Sequence, residues 1–235
     1  MKDFYLEWQA TRKQQKNDLA FVNAFLNKEK ESLCMLDDGY SHEQLVMLLD
    51  LFQHIPTDHF LQFICNIKEL PKFDTSDVSQ FSDFEKGAII VPQILEFYPN
   101  GINFTELGEK LIGSKEKEAN RKYGENHASL ASLMSLAMIK KQHRKLVFPT
   151  SLGHFLIDYN MEEKNKLLKA MLLRCPFVQA MVKIAIIGCG NYGSLMSDLT
   201  ATTARRRRQS VRHIMEFILS DTDKEDCYLR IDWTV

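Results

Sequence analysis

A chain of 235 residues with 45% hydrophobic and 26% charged side chains has enough apolar material for a packed core, which excludes long disorder and leaves room for two domains. Its net charge of −1 excludes a uniformly basic surface, yet the charge is sorted along the chain. Residues 1–80 carry 8 Lys+Arg against 13 Asp+Glu, and residues 81–235 carry 22 against 18, so an acidic partner is expected for the second part only.

The first 72 residues read as about three helices. One runs from about Asp3 to Asn27, with Phe4, Trp8, Leu19, Val22 and Phe25 facing a core. The second opens on Ser41-His42-Glu43-Gln44, a capping-box pattern, and the third follows Pro56 with Thr57 as N-cap. Residues 71–82 are polar and read as a connection.

From Asp83 the pattern changes. Phe84–Phe97 is an apolar helix with a kink expected at Pro92. Asn100-Gly101 turns the chain, Thr105–Leu111 is a short helix, and Gly113–Glu125 reads as a charged loop. A helix is expected over about Asn126–Ile139, with Ala128, Ala131, Ser132 and Ser135 outward. A hairpin follows over Lys140–Pro149, and Thr150-Ser151 starts another helix. Helix, short helix, longer helix and hairpin make a winged helix, because three short helices need the hairpin to close their core.

The order recurs. Residues 161–187 are helical, Gly188–Gly193 is a glycine-rich turn, and Ser194–Leu199 is a short helix. Thr202 or Thr203 caps a longer helix to about Leu219. Residues 220–226 form an acidic turn, and Cys227–Trp233 alternates like a strand. The expected fold is mainly α: an N-terminal helical region (1–80) followed by two winged-helix (helix-turn-helix) domains (81–160 and 161–235).

The stretch 200–215, TATTARRRRQSVRHIM, is the most informative. At 100° per residue Val211, Ile214, Met215 and Ile218 share one buried arc. Arg206, Gln209 and His213 lie opposite, Arg205, Arg212 and Glu216 sit on a shoulder, and Arg207 and Arg208 point toward the core. Arg206 and Gln209 are suited to guanine and adenine edges, while Arg205, Arg212 and the helix N-terminus with Thr202 and Thr203 suit phosphate. The plain alternative is a solvated charged helix, with Arg207 or Arg208 paired to Asp198 or Asp221. A second basic surface surrounds the first module, with Arg121, Lys122, Lys141, Arg144 and Lys145 as candidate contacts; a protein-packing helix explains it equally well.

Enzymatic readings fare worse. Gly188-Cys189-Gly190-Asn191-Tyr192-Gly193 matches G-x-G-x-x-G, but only 42 residues follow, too few for a dinucleotide-binding sheet. The seven histidines show no metal-ligand spacing, and Asp83-Phe84-Glu85-Lys86 lacks the preceding strand of a nuclease site. Cys34, Cys65, Cys175, Cys189 and Cys227 are odd in number without C-x-x-C spacing, which argues against zinc and a disulfide framework. No secretory segment and no run of eighteen apolar residues is present, so a soluble, cytoplasmic protein is expected.

Phe148-Pro149-Thr150-Ser151-Leu152-Gly153-His154-Phe155-Leu156, Leu172–Val178 and Thr203–Val211 together resemble tandem winged-helix modules of restriction-endonuclease recognition domains and AAA-associated bacterial domains. The resemblance covers about 83–235 and implies DNA contacts by Arg205, Arg206, Gln209 and Arg212. Asp221, Asp223, Glu225 and Asp226 depart from it, since an acidic wing repels phosphate. The expected function is a double-stranded DNA-binding subunit of a bacterial restriction or phage-defence system, or a regulator of similar build. It would have no catalytic site, cofactor or metal of its own and would act with a nuclease, ATPase or methyltransferase partner, or as a homo-oligomer. The alternative is an assembly or adaptor protein using its winged helices for protein contacts.

Overall fold

The computed structural model describes residues 16–27, 40–68, 75, 78, 80–141, 143–188 and 190–235. Phe4 and Trp8 of the expected first helix, Cys34, Cys189 and most of the connection at 71–79 lie outside the described residues. The chain is mainly helical with one small three-stranded sheet.

Three helices open the described chain. α1 (16–26) buries Val22, Phe25 and Leu26. Ser41 caps α2 (His42–His54): its hydroxyl accepts from the Gln44 N–H while Gln44 Oε1 accepts from the Ser41 N–H, completing the capping box. α3 (Thr57–Asn66) begins one residue earlier than expected, with Pro56 at the N-cap and Thr57 turned inward and buried. Leu45, Leu48, Leu49 and Phe52 make the inner stripe of α2, and the Phe52 ring lies between those of Phe25 (5.0 Å) and Phe60 (5.8 Å).

Proline shapes the next unit. Pro92 has no N–H to give to Ala88, and its ring would meet that carbonyl in a regular α-helix. The preceding turn widens instead: Lys86–Ile90 is a π-turn, closed by a Val91 N–H to Lys86 carbonyl bond, and it runs into α4 (Val91–Glu96). After Gly101 (φ 84) come β1 (Ile102–Asn103) and α5 (Phe104–Ile112). Asn103 Oδ1 caps α5 by accepting from the Thr105 and Glu106 N–H groups.

α6 spans Lys117–Leu133, so the expected charged loop ends at Glu116 and the helix starts well before Asn126. Ion pairs at i,i+3 and i,i+4 (Glu118–Arg121 and Arg121–Glu125) support a helix whose outer face is wholly polar. The expected outward face is also corrected: Ala128 and Ala131 are buried, at the side of α6 that packs on the rest of the unit. α5 and α6 cross at backbone contact, where a Cβ on Gly108 would lie 1.8 Å from Asn120 O and one on Gly124 2.0 Å from Phe104 O.

β2 (Ala137–Lys141) and β3 (Lys145–Pro149) form the expected hairpin, which begins three residues earlier than Lys140, with Ile139 opposite Val147. β1 pairs on the other side of β3, giving the order β1-β3-β2. Thr150 caps α7 (Ser151–Phe155), accepting from the Gly153 N–H at 2.9 Å and donating to Ser135 O at 2.7 Å.

α8 (Met161–Leu173) and α9 (Pro176–Ile187) meet at 100°, and the residues around their junction, 167–182, are all buried. α2 and α3 pack on them from one end of the chain and the last long helix from the other, so both ends share one apolar core. Gln179 ties α9 to α1 by donating to Leu26 O and Leu173 O. No single helix among the described residues is long and apolar enough to cross a membrane. The apolar run 183–187 is helical, which removes the strand that a dinucleotide fold would need.

α10 (Tyr192–Leu195) and α11 (Ala201–Leu219) complete the helices. The N-cap of α11 is Thr200, not Thr202 or Thr203, because the Thr200 hydroxyl accepts from the Thr203 N–H. Val211, Ile214, Met215 and Ile218 are buried as the periodicity predicts. Ser210 is buried too, exchanging hydrogen bonds with both the N–H and the carbonyl of Phe81.

The expected last strand is absent. Glu225–Arg230 is a 3-10 helix, and among the described residues the β-pairing of 220–235 is limited to one parallel bridge, Asn191 to Asp232. A strand would place Cys227, Leu229, Ile231 and Trp233 on one face. Instead Leu229 is 63% exposed while the other three are buried, because the three-residue repeat of the 3-10 helix breaks the two-residue alternation. The 161–235 part therefore has no hairpin.

Candidate nucleic-acid interface

The inner half of α11 is fixed by the core, and this decides what its outer half presents. Thr202, Arg205, Arg206 and Gln209 are exposed, and Thr203, Arg212 and His213 are half-buried. Among the described residues no carboxylate pairs with Arg205 or Arg206. On the helical projection Gln209 falls between these two arginines, which stand about 100° apart. Gln209 Nε2 lies 2.9 Å from His213 Nε2; with the amide donating, the imidazole holds its proton on Nδ1.

The remaining arginines of the run do other work. The Arg212 guanidinium lies 4.9 Å from the centre of the Trp233 ring and covers it. Arg207, half-buried as the periodicity predicts, donates to Thr75 O, and Arg208, which stays exposed, donates to Trp233 O, so both reach carbonyls instead of Asp198 or Asp221. Other cations of this region behave alike. Lys164 donates to Leu156 O, Lys166 to Gln53 O, Lys169 to Ser220 O and Lys183 to Ile67 O. Burial pushes the Lys164 and Lys169 ammonium groups below the usual lysine range, with Asp221 partly opposing this at Lys169. Much of the basic surplus of the second part is thus used to satisfy backbone carbonyls, most of them partly buried.

α10 is locked to the first turns of α11. Asn191 caps it by accepting from the Ser194 N–H at 2.7 Å, and its amide donates to Asp232 at 2.8 Å and Thr234 at 3.0 Å. The fully buried Tyr192 hydroxyl donates to Ala204 O at 2.8 Å, and burial pushes its pKa up to about 12. The Tyr192 and Trp233 rings meet at a 40° tilt with centroids 5.3 Å apart. These supports escape a search for outward cations, although Asn191-x-x-Ser194 is a readable capping signal.

The acidic turn is remote from Arg205. At 1.5 Å per residue the two are about 24 Å apart along the axis, roughly three screening lengths at physiological salt. Asp221 also faces Lys169 at 3.6 Å, and Asp223 pairs with Lys224 at 2.8 Å.

The second candidate surface is largely neutralised. Arg121 grips Glu118 with two bonds (2.9 and 2.8 Å) and Glu125 with a third (2.9 Å), and its guanidinium holds the Glu118 carboxyl below the usual range. Lys122 lies 3.7 Å from Glu118 and Lys145 3.8 Å from Glu125. Lys141 and Arg144, at the hairpin tip, are exposed. Near the start of this unit, Asp83 Oδ1 accepts from the Lys86 N–H and Lys86 Nζ donates to the Tyr123 hydroxyl, a helix-start arrangement. Among the described residues no group of three or more metal-ligating side chains occurs.

Comparison with protein-family models, with characterised proteins and with solved structures finds no match for this chain.

Proposed function

We propose that this chain binds double-stranded DNA, with α10–α11 as a helix-turn-helix and the outer face of α11 in the major groove. The observation that carries this reading is the face formed by Thr202, Arg205, Arg206 and Gln209: exposed, unpaired with carboxylates among the described residues, and opening a helix fixed by a short preceding helix. Arg206 and Gln209 would meet base edges and Arg205 a phosphate. Arg212, held on Trp233, contributes shape more than charge.

The order α4, β1, α5, α6, β2, β3 with its three-stranded sheet supports a winged-helix reading of residues 84–149. In that unit the hairpin tip, Lys141 and Arg144, is the part suited to DNA, because Glu118 and Glu125 stand on the outer face of α6. We place the chain as a non-catalytic DNA-binding subunit of a bacterial restriction or phage-defence system, or a regulator of similar build, in line with the resemblance of its helix order.

One observation favours a second reading. The internally neutralised α6 face suits a protein better than a polyanion, so an adaptor built on winged-helix contacts is the alternative. Fluorescence anisotropy with a labelled duplex separates the two. Two groove contacts at about 1–3 kcal/mol each predict that Arg206→Ala with Gln209→Ala weakens a preferred site about 30-fold or more. Unchanged affinity in a normally folded variant, or no duplex binding by the native chain, would leave the adaptor reading in its place.

A further inference from the structure

His213 stands one turn past Gln209 on the outer face of α11, and its ring is supported from behind. The Phe81 ring lies 6.3 Å from the imidazole at a 42° tilt, within the range of packed aromatic pairs. Phe81 is itself buried. Ser210 holds its backbone, the hydroxyl accepting from the Phe81 N–H at 2.8 Å and donating to the Phe81 carbonyl at 2.9 Å. Phe84, beside Phe81, packs in turn on Phe217 at 4.5 Å. The imidazole therefore rests on a platform tied twice to α11, and the exposed Gln209 amide, 2.9 Å away, rests on the imidazole.

A glutamine amide has two N–H groups and one carbonyl oxygen, and a neutral imidazole with its proton on Nδ1 offers Nε2 as its one acceptor. With one N–H given to His213, Gln209 keeps one donor and one acceptor for a ligand. Adenine presents the complement in the major groove, the N6 amino group and N7, whereas guanine presents two acceptors, O6 and N7. A free glutamine can turn both N–H groups toward guanine; Gln209 does so only by giving up His213. Many i,i+4 pairs serve the helix alone. This one falls on the exposed face between Arg205 and Arg206, where the amide it orients is the group offered to the groove.

Resting on the DNA reading of α11, we propose that His213 is a positioning residue: it fixes the Gln209 amide so that Gln209 reads adenine and rejects guanine. The chain of support runs from Ser210 through Phe81 and His213 to Gln209 and the base.

The test uses the full chain and has one arm without DNA. In long-range proton–nitrogen NMR spectra of histidine-labelled protein in mildly alkaline buffer, with the resonance identified through His213→Phe, His213 should carry its proton on Nδ1. Gln209→Ala should move that proton toward Nε2. In the second arm, labelled duplexes selected from a randomised pool define the preferred site, and the base pair at which Gln209→Ala loses preference is the one Gln209 reads. There the native chain should bind adenine at least about ten-fold more tightly than guanine. His213→Phe, whose ring can keep the place on Phe81, should bring the two within about three-fold. A proton on Nε2 in the native chain, a selection without preference at any base pair, or a ten-fold adenine preference kept by His213→Phe would overturn the role of His213 while leaving salt-dependent duplex binding in place. Absence of duplex binding by the native chain would remove the DNA reading and this role with it.

Discussion

Replacing Gly124 by alanine should destabilise the protein, against the usual helical preference. In a free helix the change gains about 1 kcal/mol, because glycine loses more backbone freedom on folding. Here the added Cβ would stand 2.0 Å from Phe104 O and 2.8 Å from Gly108 N. Ordinary contact starts near 3.4 Å, so α5 and α6 would have to part by roughly 1.4 Å. Both obstacles are backbone, which cannot rotate aside as a side chain would. Parting the helices also loosens the buried packing around Leu107, Ala128 and Leu130. Overpacking costs about 1–3 kcal/mol; at the upper end, less the propensity gain, the net loss is about 2 kcal/mol. For a chain of this size that lowers Tm by about 4–8 °C. Urea and thermal unfolding followed by circular dichroism measure it. Gly113→Ala is a useful comparison, since it is strained by its left-handed φ of 60° but meets no atom closer than 3.8 Å. A Gly124→Ala variant as stable as the native chain would refute the close crossing of α5 and α6.

The other predictions concern the α11 region. Tyr192 favours its protonated form in the fold, so its contribution to stability is complete below pH 10 and is lost as pH rises toward 12, by about 2–3 kcal/mol in all. Unfolding titrations should show the advantage of the native chain over Tyr192→Phe shrinking across that window, and a constant difference would contradict the buried phenol. Arg207→Ala should lower stability by about 1–2 kcal/mol through loss of a charge-assisted bond to a carbonyl, whereas Arg205→Ala should stay within about 0.5 kcal/mol. Equal effects at the two positions in urea unfolding would contradict the inward and outward assignment.

Much of this architecture is legible locally. Ser41 with Gln44, Thr150 with Gly153, and the Val211–Ile218 stripe announce their caps and faces within one or two turns. Failures come from patterns that two structures share. Apolar residues at 227, 229, 231 and 233 alternate like a strand, yet Glu225–Arg230 winds as a 3-10 helix and leaves Leu229 exposed. The polar run from Lys117 to Glu125 reads as loop until its ion pairs are recognised as helical spacing. β1 is two residues long and leaves no period to detect. For the candidate site, the split between outward and inward arginines follows from the 100° repeat. The partners of the inward ones do not, since Arg207 to Thr75 and Lys183 to Ile67 span more than a hundred residues of chain. Arg212 is the instructive case, because its position on the shoulder is readable while its stacking on Trp233 depends on how the C-terminal coil folds back.

DNA binding through α11 is tested most directly by the salt dependence of duplex affinity. Each phosphate neutralised contributes about 0.9 to the slope of log K against log salt. Anisotropy titrations of the native chain across a range of salt should give a steep negative slope, and Arg205→Ala with Arg206→Ala should flatten it by roughly one to two units while lowering affinity. A native slope near zero, or a double variant with the native slope and affinity, would contradict a DNA-facing α11.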